Sequence, residues 1–279
     1  MDRSRHKTAC FGIAGLWLAF AVCLPITTFA AGEPTNAKES AAKPKTAPVY
    51  DKAADAKRKT AMSPEQLAWE KTLEECLGSF YLPIYKQTAL KGVEQAWDYV
   101  KDDPKLPRIL LIGDSISRGY TLAVRHALAG KVNVHRAPEN CGSTANGLKK
   151  LSIWLGDGKW NVIHFNFGIH DRRTPPADYE QRLETIIERL KATGAKLVWA
   201  SSTPLPPDGK DGDRDIVARN EIAARVVKRH GIAINDLYTF IKPRLAELQI
   251  PKDCHFKGPG YDLLGKKVTE EILAALGAK

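Results

Sequence analysis

Cysteine is scarce in this chain, with 5 residues among 279, and those present are not arranged to bind a metal. None of their spacings matches a zinc site, so no metal is predicted. The chain also lacks a cluster of basic residues within a recognisable nucleic-acid-binding module. Its net charge is +10, but residues 1–60 supply half of it, with 10 Lys or Arg against 5 Asp or Glu. Nucleic acid is therefore not a predicted partner.

The first thirty residues have the pattern of an export signal. Arg3, Arg5 and Lys7 precede an apolar stretch over residues 9–24, and Thr28-Phe29-Ala30 places small residues where a signal peptidase reads. We expect a signal peptide at 1–30 and an exported protein, periplasmic or secreted. The alternative is an uncleaved membrane anchor, which would be the chain's only contact with a membrane.

Residues 31–60 are rich in Ala, Lys and Pro and hold few large apolar side chains, which predicts a disordered linker. A helical extension is predicted over 61–106. It begins with a capping box at residues 63–66, and a second helical pattern runs over 89–100.

From residue 107 to residue 279, apolar strands alternate with helical patterns. This alternation predicts one α/β domain, a parallel sheet with helices on both faces, whose ligands bind beyond the carboxyl ends of the strands. The predicted strands are 108–112, 132–135, 161–166, 196–201 and 232–235, and the predicted helices are 118–129, 146–155, 178–193, 215–230, 237–247 and 260–276.

Polar loops follow several of these strands. The first strand ends in Gly113-Asp114-Ser115, a turn that presents one serine at the amino end of a helix. The alternative interpretation of this turn is an ordinary helix cap. The second and third strands lead into loops at 140–144 and 166–171, and residues 253–256 place a histidine beside an acid before the last helix.

These four segments, taken together and in order, resemble the SGNH hydrolase superfamily, the GDSL-type esterases and lipases. Gly-Asp-Ser is similar to the first block of that family, Gly142 to the second, Gly168-Ile169-His170-Asp171 to the third and His255 to the fifth. The resemblance covers about residues 108–276. It implies a flavodoxin-like three-layer α/β/α sandwich with a five-stranded parallel sheet, ester hydrolysis through a serine, and no cofactor.

The resemblance assigns Ser115 as nucleophile, His255 as general base and Asp253 as the acid that orients it. The predicted oxyanion hole comprises the N–H groups of Ser115 and Gly142 and the side chain of His170.

Two positions depart from the family pattern. His170 stands where an asparagine is usual, so the alternative is that it only holds its loop. Asp253 lies two residues before His255 rather than three, which leaves a backbone carbonyl, or Asp236, as the alternative partner of the imidazole.

The predicted substrate is a small-molecule or polysaccharide ester. Acetyl removal from a carbohydrate is favoured by three features together: the export signal, the lack of a wide apolar segment of the lipase lid type, and a cationic rim. Arg118, Arg172 and Arg173 are predicted to line the cleft, where they suit an anionic ester, or to form a solvated rim. The alternatives are a thioesterase or lysophospholipase for longer acyl chains, and a non-catalytic binding module.

The remaining cysteines leave two possibilities. Cys10 and Cys23 belong to the predicted signal, so Cys76, Cys141 and Cys254 remain in the mature chain. Either Cys141 and Cys254 form a disulfide, as an exported protein permits, or all three are reduced thiols.

Overall fold

The computed structural model describes residues 50–206 and 212–277. Its centre is a parallel sheet of five strands in the order β2-β1-β3-β4-β5. This is the flavodoxin-like order, with the switch point beside β1. The predicted fold class is confirmed. The strands are β1 (Arg108–Ile112), β2 (Asn133–Arg136), β3 (Val162–Phe165), β4 (Lys196–Ala200) and β5 (Ala233–Asn235).

Helices cover both faces of the sheet, as the alternating sequence pattern predicts. In chain order they are α1 (Lys52–Lys59), α2 (Pro64–Cys76), α3 (Gly78–Leu90), α4 (Ser115–Ala127), α5 (Thr144–Leu155), α6 (Pro176–Lys191), α7 (Asp213–Arg229), α8 (Leu237–Ile241), α9 (Leu245–Leu248) and α10 (Gly258–Leu276). Short 3-10 helices occupy Ile169–Asp171 and Lys242–Arg244.

Two apolar cores sit on opposite sides of the sheet because successive side chains of a strand point to opposite faces. Ile109 and Leu111 of β1 pack with α4 and α10. Leu110 and Ile112 pack with α5, α6 and α7. Every strand runs in the same direction, so the loops after β1, β2 and β3 all open at one edge.

The extension before the sheet differs from its prediction in two places. Residues 52–59, placed in the linker, form α1, because Arg58 hydrogen-bonds both the nearly buried Asp55 and Glu70 of α2. The helix predicted over 89–100 does not form. Gly92 adopts φ +63, a left-handed conformation that ends α3 at Leu90.

The capping box at residues 63–66 is present and begins α2 as predicted. Among the residues that the structure describes, no helix is both long and apolar enough to cross a membrane. The predicted export signal and most of the predicted linker lie outside the described residues.

Candidate functional site

The turn after β1 presents Ser115 at the first position of α4. The side chain of Asp114 caps this helix by accepting a hydrogen bond from the N–H of Ile116 at 2.9 Å. Gly113 is required by close packing, since a Cβ there would lie 2.7 Å from the Cβ of Ser117. The result is a tight turn that places a serine hydroxyl at the carboxyl edge of the sheet.

Ser115 and His255 are 140 residues apart in sequence but in direct contact. His255 Nε2 lies 2.8 Å from Ser115 Oγ, and His255 Nδ1 lies 2.6 Å from Asp253 Oδ1. With Nδ1–H donating to Asp253, Nε2 is left to accept the serine proton. The three predicted catalytic side chains therefore form one hydrogen-bonded chain.

Asp253 reaches His255 despite its unusual spacing because the preceding backbone is left-handed. Lys252 has φ +61, the only positive φ of a non-glycine residue in the described chain. Partial burial raises the pKa of Asp253, but hydrogen bonds from the backbone N–H and ring of His255 outweigh it, so the net pKa lies below its ordinary value. Asp236, the alternative acid, instead bonds Ser201 and caps α8.

The two backbone N–H groups predicted for the oxyanion hole lie at the amino ends of α4 and α5. Gly142 adopts φ +65, which favours glycine, and precedes the amino end of α5. Ser115 is the first residue of α4, where helix N–H groups have no intrahelical partner. Neither N–H donates a hydrogen bond to any described residue. His170 is the exposed residue of the short 3-10 helix after β3, and its side chain makes no hydrogen bond to another described residue.

Asp171, predicted only to stabilise its own turn, also joins the second and third loops. Its buried carboxylate accepts hydrogen bonds from the N–H and hydroxyl of Thr144, at 2.8 and 2.7 Å. Its carbonyl accepts one from Arg219 Nε at 2.8 Å. The loop of His170 is thereby tied to the loop of Gly142. The sequence signal for this contact is Thr144 at the first position of α5, whose N–H has no partner within the helix.

Arg136, which the sequence analysis did not identify, supports the nucleophile turn through its guanidinium. Arg136 is 2 % exposed and donates to the carbonyls of Gly113 and Asp114 at 3.0 and 2.9 Å, and also to Ser117 Oγ. Burial lowers its pKa. A charged residue at the buried end of a strand is the signal that could have identified it.

The three predicted substrate-binding arginines have different surroundings. Arg118 lies on α4, one turn after Ser115, with its guanidinium over the rings of Tyr81 and Trp97. Arg172 donates to the carbonyl of Ile169 at 2.9 Å. Arg173 is exposed beside it.

The cysteines of the described chain are free thiols. Cys141 is buried, and burial raises its pKa to about 12. Cys254 is half-buried, and burial followed by the charge of Asp253 raises its pKa to about 11. The proposed Cys141–Cys254 disulfide is not formed, and the reduced alternative describes this structure.

A cavity of about 10 Å³ lies behind the nucleophile turn, lined by residues that include Asp114, Ser117 and Asn166. This volume holds roughly one water molecule. Asn166 lines it while its amide donates to the carbonyl of Ala200 and to Ser202 Oγ.

Comparison with known proteins identifies a matching family and several solved structures with a similar fold. Residues 111–263 match the GDSL-like lipase/acylhydrolase family. The fold is similar to a lipase/acylhydrolase from Enterococcus faecalis, at 23% identity and a TM-score of 0.55, over 61% of this chain and 96% of that one. It is also similar to the acetyl xylan esterase AlAXEase, at 14% identity and a TM-score of 0.54, over 59% and 99%. A third similar structure is an acetylxylan esterase from Geobacillus stearothermophilus, at 13% identity and a TM-score of 0.51, over 62% and 95%. No match was found among curated proteins.

Proposed function

Because this chain belongs to the GDSL-like lipase/acylhydrolase family of the SGNH superfamily, whose members are carboxylic ester hydrolases, we propose that it removes small acyl groups from a carbohydrate through a serine acyl-enzyme. The observation that carries the proposal is the contact of Ser115 Oγ with His255 Nε2 at 2.8 Å, continued by Asp253.

The first step is attack of Ser115 Oγ on the ester carbonyl carbon. His255 Nε2 takes the hydroxyl proton as the new C–O bond forms, which overcomes the weak nucleophilicity of a neutral serine. Asp253 accepts the Nδ1–H bond, holds the productive tautomer and stabilises the imidazolium. The lowered pKa of Asp253 keeps its carboxylate ionised at neutral pH.

The negative charge that develops on the carbonyl oxygen is received by the N–H groups of Ser115 and Gly142 and by the side chain of His170. One such donor is worth about 3 kcal/mol of transition-state stabilisation. Collapse of the intermediate breaks the ester C–O bond, and His255 returns its proton to the departing alcohol. Water, deprotonated by His255, then attacks the acyl carbon. The bond from that carbon to Ser115 Oγ breaks, His255 returns the proton to Oγ, and the acid is released.

Two observations support acetyl removal from a carbohydrate by an exported enzyme. Two similar structures are acetyl xylan esterases. The leader pattern of residues 1–30 supports an exported enzyme that meets such substrates in the periplasm or outside the cell.

The test is hydrolysis of p-nitrophenyl esters by the wild-type chain and by Ser115→Ala. We expect the wild-type enzyme to prefer the acetyl ester over the octanoyl ester, and a fluorophosphonate probe to label Ser115. The Ser115→Ala variant should fold and be inactive. Preference for the octanoyl ester would favour the thioesterase or lysophospholipase alternative. Absence of labelling in folded protein would favour the binding module.

A further inference from the structure

Arg118 occupies the position on α4 one helical turn after the nucleophile. Residues three apart on a helix lie on the same side, so its side chain starts from the face that carries Ser115. It is only half-buried, yet its Nε is fully buried. A charged group therefore starts from the same side of α4 as the nucleophile.

Two aromatic rings of the extension lie against this guanidinium. Its Cζ lies 5.4 Å from the ring centroid of Tyr81 and 5.6 Å from that of Trp97, both contributed by the extension. Tyr261, five residues after Phe256 in the segment that follows His255, packs its ring directly against Gly119 of α4. The attraction between a cation and ring faces holds the planar group in place.

Within the described chain, Arg118 has no carboxylate partner. Its Nε makes no hydrogen bond, and no Asp or Glu oxygen lies within 4.0 Å of its nitrogens. The carboxylate of Asp114 instead caps α4. Arg58, Arg108 and Arg229, by contrast, each pair with acids. A guanidinium is always charged near neutral pH, so Arg118 offers an unmatched positive charge with donors in fork geometry.

We infer that Arg118, Tyr81 and Trp97 form a subsite for a carboxylate on the alcohol part of the ester, so that the substrate is an acylated acidic sugar such as a uronic acid. This inference rests on the proposed function. Because the acyl group is small, the part of the substrate that extends beyond Ser115 is the sugar. Arg118 binds the sugar carboxylate through charge-assisted hydrogen bonds, and the two rings keep the guanidinium fixed.

The experiment measures acetate release from an O-acetylated methyl galacturonoside and from its carboxamide, which has the same shape without the charge. The wild-type chain should show a kcat/KM about tenfold or more higher for the acid, the effect of one charge-assisted contact. Arg118→Gln should bring the ratio of the two kcat/KM values close to one, because the acid then loses its charge-assisted contact. Arg118→Lys should keep part of the preference for the acid, because lysine retains the positive charge but cannot donate two parallel hydrogen bonds to a carboxylate.

Arg229→Gln is the matched control, since it removes the same charge from an exposed pair with Glu180 and Glu184. It should retain the wild-type ratio. The inference is overturned if wild-type kcat/KM is about the same for the acid and the carboxamide. It is also overturned if a folded Arg118→Gln variant loses the same fraction of kcat/KM on both substrates.

Calorimetric titration of Ser115→Ala with the two substrates provides a readout that does not depend on turnover. The subsite is supported if Ser115→Ala binds the acid more tightly than the amide and the double variant with Arg118→Gln does not. Equal binding of acid and amide by Ser115→Ala contradicts it. If the wild-type chain hydrolyses neither substrate nor p-nitrophenyl acetate, the proposed function fails. If it hydrolyses acid and amide equally well, only the subsite fails.

Discussion

Asp253 Oδ1 accepts two hydrogen bonds from His255, one from the backbone N–H at 3.0 Å and one from ring Nδ1 at 2.6 Å. An acid two residues before a histidine can close this small ring when the backbone ahead of it turns, and Lys252 supplies that turn at φ +61. The same carboxylate therefore fixes both the loop and the imidazole.

Asp253→Asn is expected to lower kcat by a factor of roughly 10² to 10⁴, because an amide neither fixes the tautomer nor stabilises the imidazolium. KM for p-nitrophenyl acetate should change little, and circular dichroism should show an unchanged fold. Activity within a few-fold of wild type would show that another group orients His255.

The same carboxylate also links stability to pH. Its folded pKa lies below the ordinary value of 3.8, so its contribution to stability is fully present above pH 3.8 and is lost as pH falls through the folded pKa. Between pH 5 and pH 3, wild-type Tm should therefore fall more steeply than that of Asp253→Asn. Parallel curves would contradict this coupling.

Lys252→Gly is expected to raise the free energy of unfolding by about 0.5–1 kcal/mol, because glycine adopts a positive φ without strain. Urea denaturation measures the change. Lys91→Gly is the control, since Lys91 is exposed, has φ −84 and should gain nothing. A destabilised Lys252→Gly variant would mean that the left-handed backbone is not the source of the strain.

His170→Ala should reduce kcat/KM on acetyl esters by about a hundredfold or more if the imidazole donates to the oxyanion. His170→Asn should retain more activity than the alanine variant, because an amide N–H also donates. If both variants behave like wild type, His170 only holds its loop.

Arg136→Met should lower the free energy of unfolding by about 2–4 kcal/mol, because two buried carbonyls lose their charged donor. The kcat should also fall, since the turn that carries Ser115 loses its support. Arg229→Met, at an exposed ion pair, is the control and should change stability by less than about 1 kcal/mol. If both variants lost the same free energy of unfolding, Arg136 would stabilise the fold no more than an exposed ion pair does.

Cys254 should react slowly with iodoacetamide at pH 8 and much faster as pH approaches 11. Its pKa is raised to about 11, and only the thiolate is a good nucleophile. Peptide mapping by mass spectrometry follows this residue separately from the other cysteines. Rapid modification at pH 8 would show that the thiol is not shielded as the structure describes.

The local elements follow closely from the sequence. All five strands begin and end within one residue of their predicted bounds, because a buried parallel strand is a short apolar run between polar turns. Sequence patterns predicted the wrong local structure where contacts with residues distant in the chain determine it. Helix α1 depends on Arg58 meeting Glu70, and residues 91–100 leave the helical path at Gly92.

By itself, the sequence determined the parallel α/β sheet, the serine at its edge and the order of the motif residues, because periodicity and turn chemistry act between near neighbours. Only the tertiary structure decided that His255 meets Ser115, that Asp253 orients it, and that Arg136 supports the turn. It also placed Tyr81 and Trp97 around Arg118. Such pairings depend on how whole layers pack together, and contacts between remote residues leave no periodic trace in the chain.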